Sequence, residues 1–251
     1  MWSNSMPLLQ FFKTILLCQN QIHLYLQSMP YEDSAPEEER RYQGNGSLRL
    51  ATGIVILELL IHIFRINGWL PDFILGVIPR TEKGIPGILF APWLHGSWIH
   101  LFSNSAPLFL SVWGTSYLYQ KIRFRVLIVS MIAPGLAVWF WDDPSMHLGA
   151  SGWVYALLAF IFWSGLFRLH PRSIALSLII VFLYGGMIWR ILPLEEGISW
   201  QSHLAGAVTG FILAIFYRKV PVDSEPDELE EEMALDTHEH PENLEYGNRE
   251  W

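Results

Sequence analysis

The sequence predicts an all-α membrane protein, a bundle of six transmembrane helices. Three observations carry that prediction. Of the 251 residues, 51% are hydrophobic and only 16% are charged, a balance foreign to ordinary soluble domains of this length. The apolar residues gather into six runs, at about 50–66, 98–118, 125–141, 151–167, 173–191 and 201–217. At 1.5 Å per residue, roughly 17–20 helical residues cover most of the ~30 Å hydrocarbon core. Finally, the cations between runs concentrate on alternate sides, as a polytopic protein requires.

Taken in order, residues 1–48 form an N-terminal cytoplasmic segment. Within it, 7–17 is apolar but short and is broken by Lys13, too short to span a bilayer. Residues 1–28 are either an interfacial helix or an over-long start with Met29 as the true first residue, and the second reading is preferred. The polar stretch 30–48, with Glu37-Glu38-Glu39-Arg40-Arg41 at its centre, reads as a flexible lead-in. The membrane domain covers 49–219. Arg40, Arg41 and Arg49 precede the first run, and Lys121, Arg123 and Arg125 separate the second from the third. Arg168 and Arg172 separate the fourth from the fifth, and Arg218 and Lys219 follow the sixth. By the positive-inside rule both termini are cytoplasmic. Trp98, Trp139, Trp141, Trp153, Trp189 and Trp200 lie near the ends of runs, where an aromatic belt belongs. The long connection at 67–97 mixes apolar and turn residues, which predicts a compact element in the outer interface. Residues 220–251 hold 12 of the 24 acidic residues and few apolar ones, so an acidic, disordered cytoplasmic tail is expected.

Several function classes drop out. The net charge of −8 and the lack of any basic patch speak against a nucleic-acid partner. The single Cys18 rules out an intrachain disulfide and any multi-cysteine metal site. His62, His95, His100 and His203 could be imagined around a metal, but no His-Glu-x-x-His and no cysteine partner accompany them, so neither metal nor cofactor is expected. No aspartate falls within a run, which argues against an aspartyl intramembrane protease. A transporter would call for charges along a midplane pathway or an internal repeat, and neither is present.

The polar residues inside the runs are more telling. Runs two, four and six all cross from outside to inside, so their N-terminal ends share the outer leaflet. Those ends carry His100 with Asn104, then Ser151, then His203. Ionisable groups in membrane segments usually face a bundle interior or a water-filled cavity. His100 and Asn104 are four apart and share a helix face. Ser151, between small residues at the head of the fourth run, meets the free N–H groups and the positive dipole end of a helix. His95 belongs in the turn entering the second run, where it could bond loop carbonyls and hold the entry. Glu58 and His62, also four apart, read as a satisfied structural pair, and His147 reads as a loop residue.

The stretches His95-Gly-Ser-Trp-Ile-His100-Leu-Phe-Ser-Asn104, Gly149-Ala-Ser151-Gly152 and His203-Leu-Ala-Gly206-Ala-Val-Thr-Gly210 together resemble the rhomboid intramembrane serine proteases. The resemblance covers about 50–217. It implies a rhomboid-like bundle of six transmembrane helices with a water-accessible cavity open to the outer face. It also implies a catalytic dyad of Ser151 as nucleophile and His203 as base, without an acidic third member. His100, Asn104 and the Ser151 N–H correspond to the oxyanion hole, and Tyr155 to an aromatic packed on the base. Gly206 and Gly210 match a small-xxx-small face that lets the sixth helix approach the fourth. Many members carry Trp-Arg shortly before the first histidine, where this chain has Pro86-Gly87; the departure concerns the loop's docking rather than the chemistry.

The expected activity is therefore a serine-type endopeptidase that cuts single-span or multi-span membrane proteins near the outer face of the bilayer. A catalytically silent relative that binds membrane helices for quality control is the alternative. By analogy, the expected location is a bacterial inner membrane.

Overall fold

The computed structural model describes residues 37–70, 76–142, 144–194 and 197–222, with side chains from residue 45 onward. The expectations for residues 1–28 and for most of the acidic tail lie outside the described residues. Among the described residues, six long helices make up the fold. They are α1 (Glu37–Ile66), α2 (Trp98–Leu118), α3 (Arg123–Trp139), α4 (Ser151–Arg168), α5 (Pro171–Tyr184) and α6 (Trp200–Phe216). No strand occurs among the described residues, only the isolated bridge of Val77 with His147.

Local chemistry sets the helix ends. Ser97 caps α2, its hydroxyl accepting the His100 N–H at 3.1 Å, and Ser199 caps α6 by accepting from Ser202 N–H at 3.3 Å. Such caps satisfy donors that a helix N-terminus leaves free. α4 stops where Leu169 turns left-handed (φ 54°). α5 starts on Pro171 at its first turn, where a missing N–H is harmless. It then tightens into a 3₁₀ segment, Gly185–Ile191, so the expected fifth run is two elements. α1 begins at Glu37: residues 37–48, expected as a flexible lead-in, are helical.

α4 is the central helix. In its spanning window 61% of residues are buried, against 11% for Pro171–Ile191, and it packs against α2, α3, α5 and α6. Glycine makes the tightest of these contacts. A Cβ built on Gly206 would lie 2.3 Å from the Gly152 carbonyl oxygen, and one on Gly210 would lie 2.1 Å from the Ala156 carbonyl oxygen. The small-residue face of α6 therefore brings its backbone directly onto α4.

Three helical stretches, Asn45–Ile66, Ser151–Arg168 and Pro171–Ile191, are long and apolar enough to cross a membrane, and α6 is a shorter apolar helix. The protein is thus an integral membrane protein. α2 is long enough but is diluted by His100, Ser103, Asn104, Ser105, Ser111, Thr115 and Ser116, and α3 has only 17 residues. The connection before α2 is compact where described. It contains the one-turn helix Gly87–Phe90, and Trp139 Nε1–H donates to Thr81 O at 3.0 Å.

Candidate active site

The N-terminal ends of α2, α4 and α6 meet around a cavity of about 1090 Å³ whose lining includes Ser151, His203, His100, Asn104, Tyr155 and Arg190. Each arrives through its own local geometry. The segment before α4 is stitched to the preceding loop by backbone bonds. Val77 N–H donates to His147 O at 2.9 Å, His147 N–H to Val77 O at 2.8 Å, and Gly149 N–H to Ala91 O at 2.9 Å. Gly149 has φ +116°, and a Cβ there would stand 2.6 Å from His100 Cε1 and Nε2. Only glycine suits that position, on conformational and steric grounds alike. Ser151 then opens α4, so its N–H has no partner four residues back.

His203 is 5% exposed and sits one turn into α6. Its ring lies nearly parallel to that of Tyr155, with centroids 4.2 Å apart and planes inclined by 9°. Tyr155 is held in turn, its O–H donating to Met187 O at 2.6 Å. His203 Nδ1 lies 2.8 Å from Arg190 O. A carbonyl oxygen only accepts, so in the neutral ring the proton sits on Nδ1 and the lone pair on Nε2. The backbone of the 3₁₀ segment thereby sets the tautomer, a signal invisible in the side-chain sequence.

Asn104 is 5% exposed, and its Nδ2 is buried with no hydrogen-bond partner among the described residues. An orphaned buried donor typically costs about 1–3 kcal/mol, and such groups call for an explanation. His95 is fully buried. Its Nε2 accepts the Ala150 N–H at 3.4 Å, its carbonyl accepts from Arg65 Nη1, and its ring stands edge-on to His100 at 5.1 Å. Its side chain therefore holds the loop entering α4 through an N–H rather than through loop carbonyls. Burial first, then the positive fields of His100, His62 and Arg65, push the His95 pKa down to about 3. Gly152 faces α6, where a Cβ would come within 2.5 Å of Ser202 Oγ.

Two expectations change. Glu58 and His62 are both fully buried, yet neither side chain hydrogen-bonds the other, so they are not a mutually satisfied pair. The His62 ring instead meets Trp98 edge-on at 4.6 Å. His147 is more than a loop residue. Its Nδ1 lies 2.7 Å from Ser199 Oγ and its Nε2 lies 3.3 Å from Ser145 Oγ. Sequence offered no signal for a contact between positions 52 apart. Among the described residues no group of three or more His, Cys, Asp or Glu side chains is placed to hold a metal ion.

Comparison with known proteins agrees with this architecture. A family model described as Rhomboid domain matches residues 83–220, from the loop before α2 to just past α6. An uncharacterized protein of Mycobacterium tuberculosis strain H37Rv is 32% identical over 179 residues, covering 67% of this chain and 74% of its own. An uncharacterized protein of Mycobacterium leprae is 34% identical over 139 residues, covering 51% and 54%. Rhomboid-type serine protease 2 of Yarrowia lipolytica is 23% identical over 185 residues, covering 67% and 60%. With helical order, motifs and matched span in agreement, the chain belongs to the rhomboid family.

Proposed function

We propose that this protein is an intramembrane serine endopeptidase, with Ser151 and His203 as its catalytic dyad and His100, Asn104 and the Ser151 N–H as its oxyanion hole. The observation that carries the reading is the His203 tautomer. With Nδ1–H given to Arg190 O, the basic Nε2 belongs to a ring that shares one cavity with Ser151.

In the first half-reaction Ser151 Oγ attacks the carbonyl carbon of the scissile peptide while its proton passes to His203 Nε2. The carbonyl oxygen becomes an oxyanion facing donors that need not reorganise to receive it. The intermediate collapses as His203 returns the proton to the leaving amide nitrogen, which departs as an amine and leaves an ester on Ser151. Water then attacks the ester, giving one proton to His203, and collapse restores the serine hydroxyl and releases a carboxylic acid. No aspartate is required to orient the base. The Tyr155 ring fixes its plane and the Arg190 carbonyl fixes its rotation.

The substrates would be single-span or multi-span membrane proteins, cut near the outer face of the bilayer. The enzyme would cross the membrane six times, with both termini cytoplasmic, in a bacterial inner membrane. Incubation of the purified protein with a panel of single-span substrates tests the activity. Cleavage near one membrane boundary, abolished in Ser151→Ala, is expected. No cleavage of any substrate, with helix binding retained, would favour a catalytically silent helix-binding relative.

A further inference from the structure

We infer that His147 is a positioning residue whose hydrogen bond to Ser199 sets the separation of Ser151 and His203; this rests on the protease reading above. His147 stands four residues before Ser151, and Ser199 four before His203. Within α6, His203 N–H donates to Ser199 O at 3.3 Å, so the base lies one helical turn from its cap. The contact of His147 Nδ1 with Ser199 Oγ, at 2.7 Å, therefore forms a rung just before the pair that must react. It joins the segment leading into α4 to the first turn of α6 by side chain.

Either tautomer of His147 closes the rung, because Ser199 Oγ can donate to Nδ1 or accept from Nδ1–H. Ser199 Oγ already accepts the Ser202 N–H, so its own proton is available for His147 Nδ1. When Ser199 donates to Nδ1, the His147 ring carries its proton on Nε2, 3.3 Å from Ser145 Oγ, which can accept it. The backbone of His147 is fixed separately, by its two bonds to Val77, so its ring acts as a rigid strut between the outer loop and α6. The dyad needs Ser151 Oγ within roughly 2.6–3.2 Å of Nε2 when it reacts. Losing this rung removes one tie between the segment entering α4 and the first turn of α6, and the gap between nucleophile and base is expected to widen.

The test is the labelling of Ser151 by a fluorophosphonate probe in detergent, with kinact and KI measured separately. Because misplacement by about 1 Å can cost on the order of 10²-fold, His147→Ala is expected to lower kinact by about 10- to 100-fold while KI moves less than about twofold. His147→Asn, whose amide oxygen can accept from Ser199, should recover most of that loss. Ser199→Ala should fall like His147→Ala, the double variant no further than the worse single, and Ser199→Thr should stay near wild type. An unaltered kinact in His147→Ala, or losses that multiply in the double variant, would overturn the inference while leaving the protease reading intact. If His147→Ala does not fold, equal losses in Ser199→Ala and Ser199→Thr would overturn it. Wild type that takes no label would overturn both.

Discussion

Asn104 keeps its amide nitrogen buried and without a partner among the described residues, a state that a merely structural asparagine would be expected to avoid. The proposed oxyanion role would account for it, since the missing acceptor would arrive with the substrate. Replacing Asn104 by Ala should therefore lower kcat by about 10²–10³-fold. The thermal midpoint should stay level or rise, because a burdened donor is removed; a fall in stability with kcat intact would mark Asn104 as helix glue. His95 is buried too, and one of its ring nitrogens is used in the resting protein, Nε2 accepting from Ala150 N–H, while Nδ1 has no partner among the described residues. Its pKa is lowered from 6.5 to about 3, so between those values the unfolded chain binds more protons than the folded one. Stability contributed by neutral His95 is then complete above pH 6.5 and is lost progressively as pH falls toward 3. Thermal midpoints measured in detergent should fall on acidification from pH 7 to 5, with a shallower slope in His95→Asn; identical slopes would contradict the assignment.

At the level of the element, the decisive feature is how closely α6 lies on α4. Gly206→Val puts atoms where the Gly152 carbonyl oxygen now stands, 2.3 Å from the ideal Cβ, and overpacking of this kind typically costs about 1–3 kcal/mol. A lower thermal midpoint and a slower labelling of Ser151 are expected, because α6 carries His203 away as it retreats. Wild-type labelling would show that the contact is not what places the base. The starts of α2 and α4 were legible in sequence because apolar runs set in at 98 and at 151, the second headed by Ser151 between small residues; the Ser97 cap was seen only in the structure. The division of the fifth run was not foreseen, since Gly185-Gly186 lies within an unbroken apolar stretch and only the hydrogen-bond pattern reveals the 3₁₀ segment. That same segment supplies the Met187 and Arg190 carbonyls. Its part in the site is played entirely by backbone, which no side-chain pattern encodes.

Across the whole molecule, apolar composition and the spacing of runs were enough to foretell an all-helical membrane protein. They were not enough to rank the helices. The central helix and the peripheral one read as similarly apolar, but packing buries 61% of one spanning window and 11% of the other. Of the polar residues that lower the hydropathy of α2, His100, Ser103 and Asn104 line the cavity. His147 was read only as a loop residue because its partner Ser199 belongs to a helix cap 52 positions away. Motif residues from three helix ends line one cavity, and the proposed chemistry depends on the pairing of one hydroxyl with one imidazole. The most direct measurement is mass spectrometry of the purified protein after exposure to a fluorophosphonate. The account predicts a single adduct on Ser151 in the wild type and none in His203→Ala; an equally labelled His203→Ala, or a wild type left unmodified while a control serine protease reacts, would contradict it.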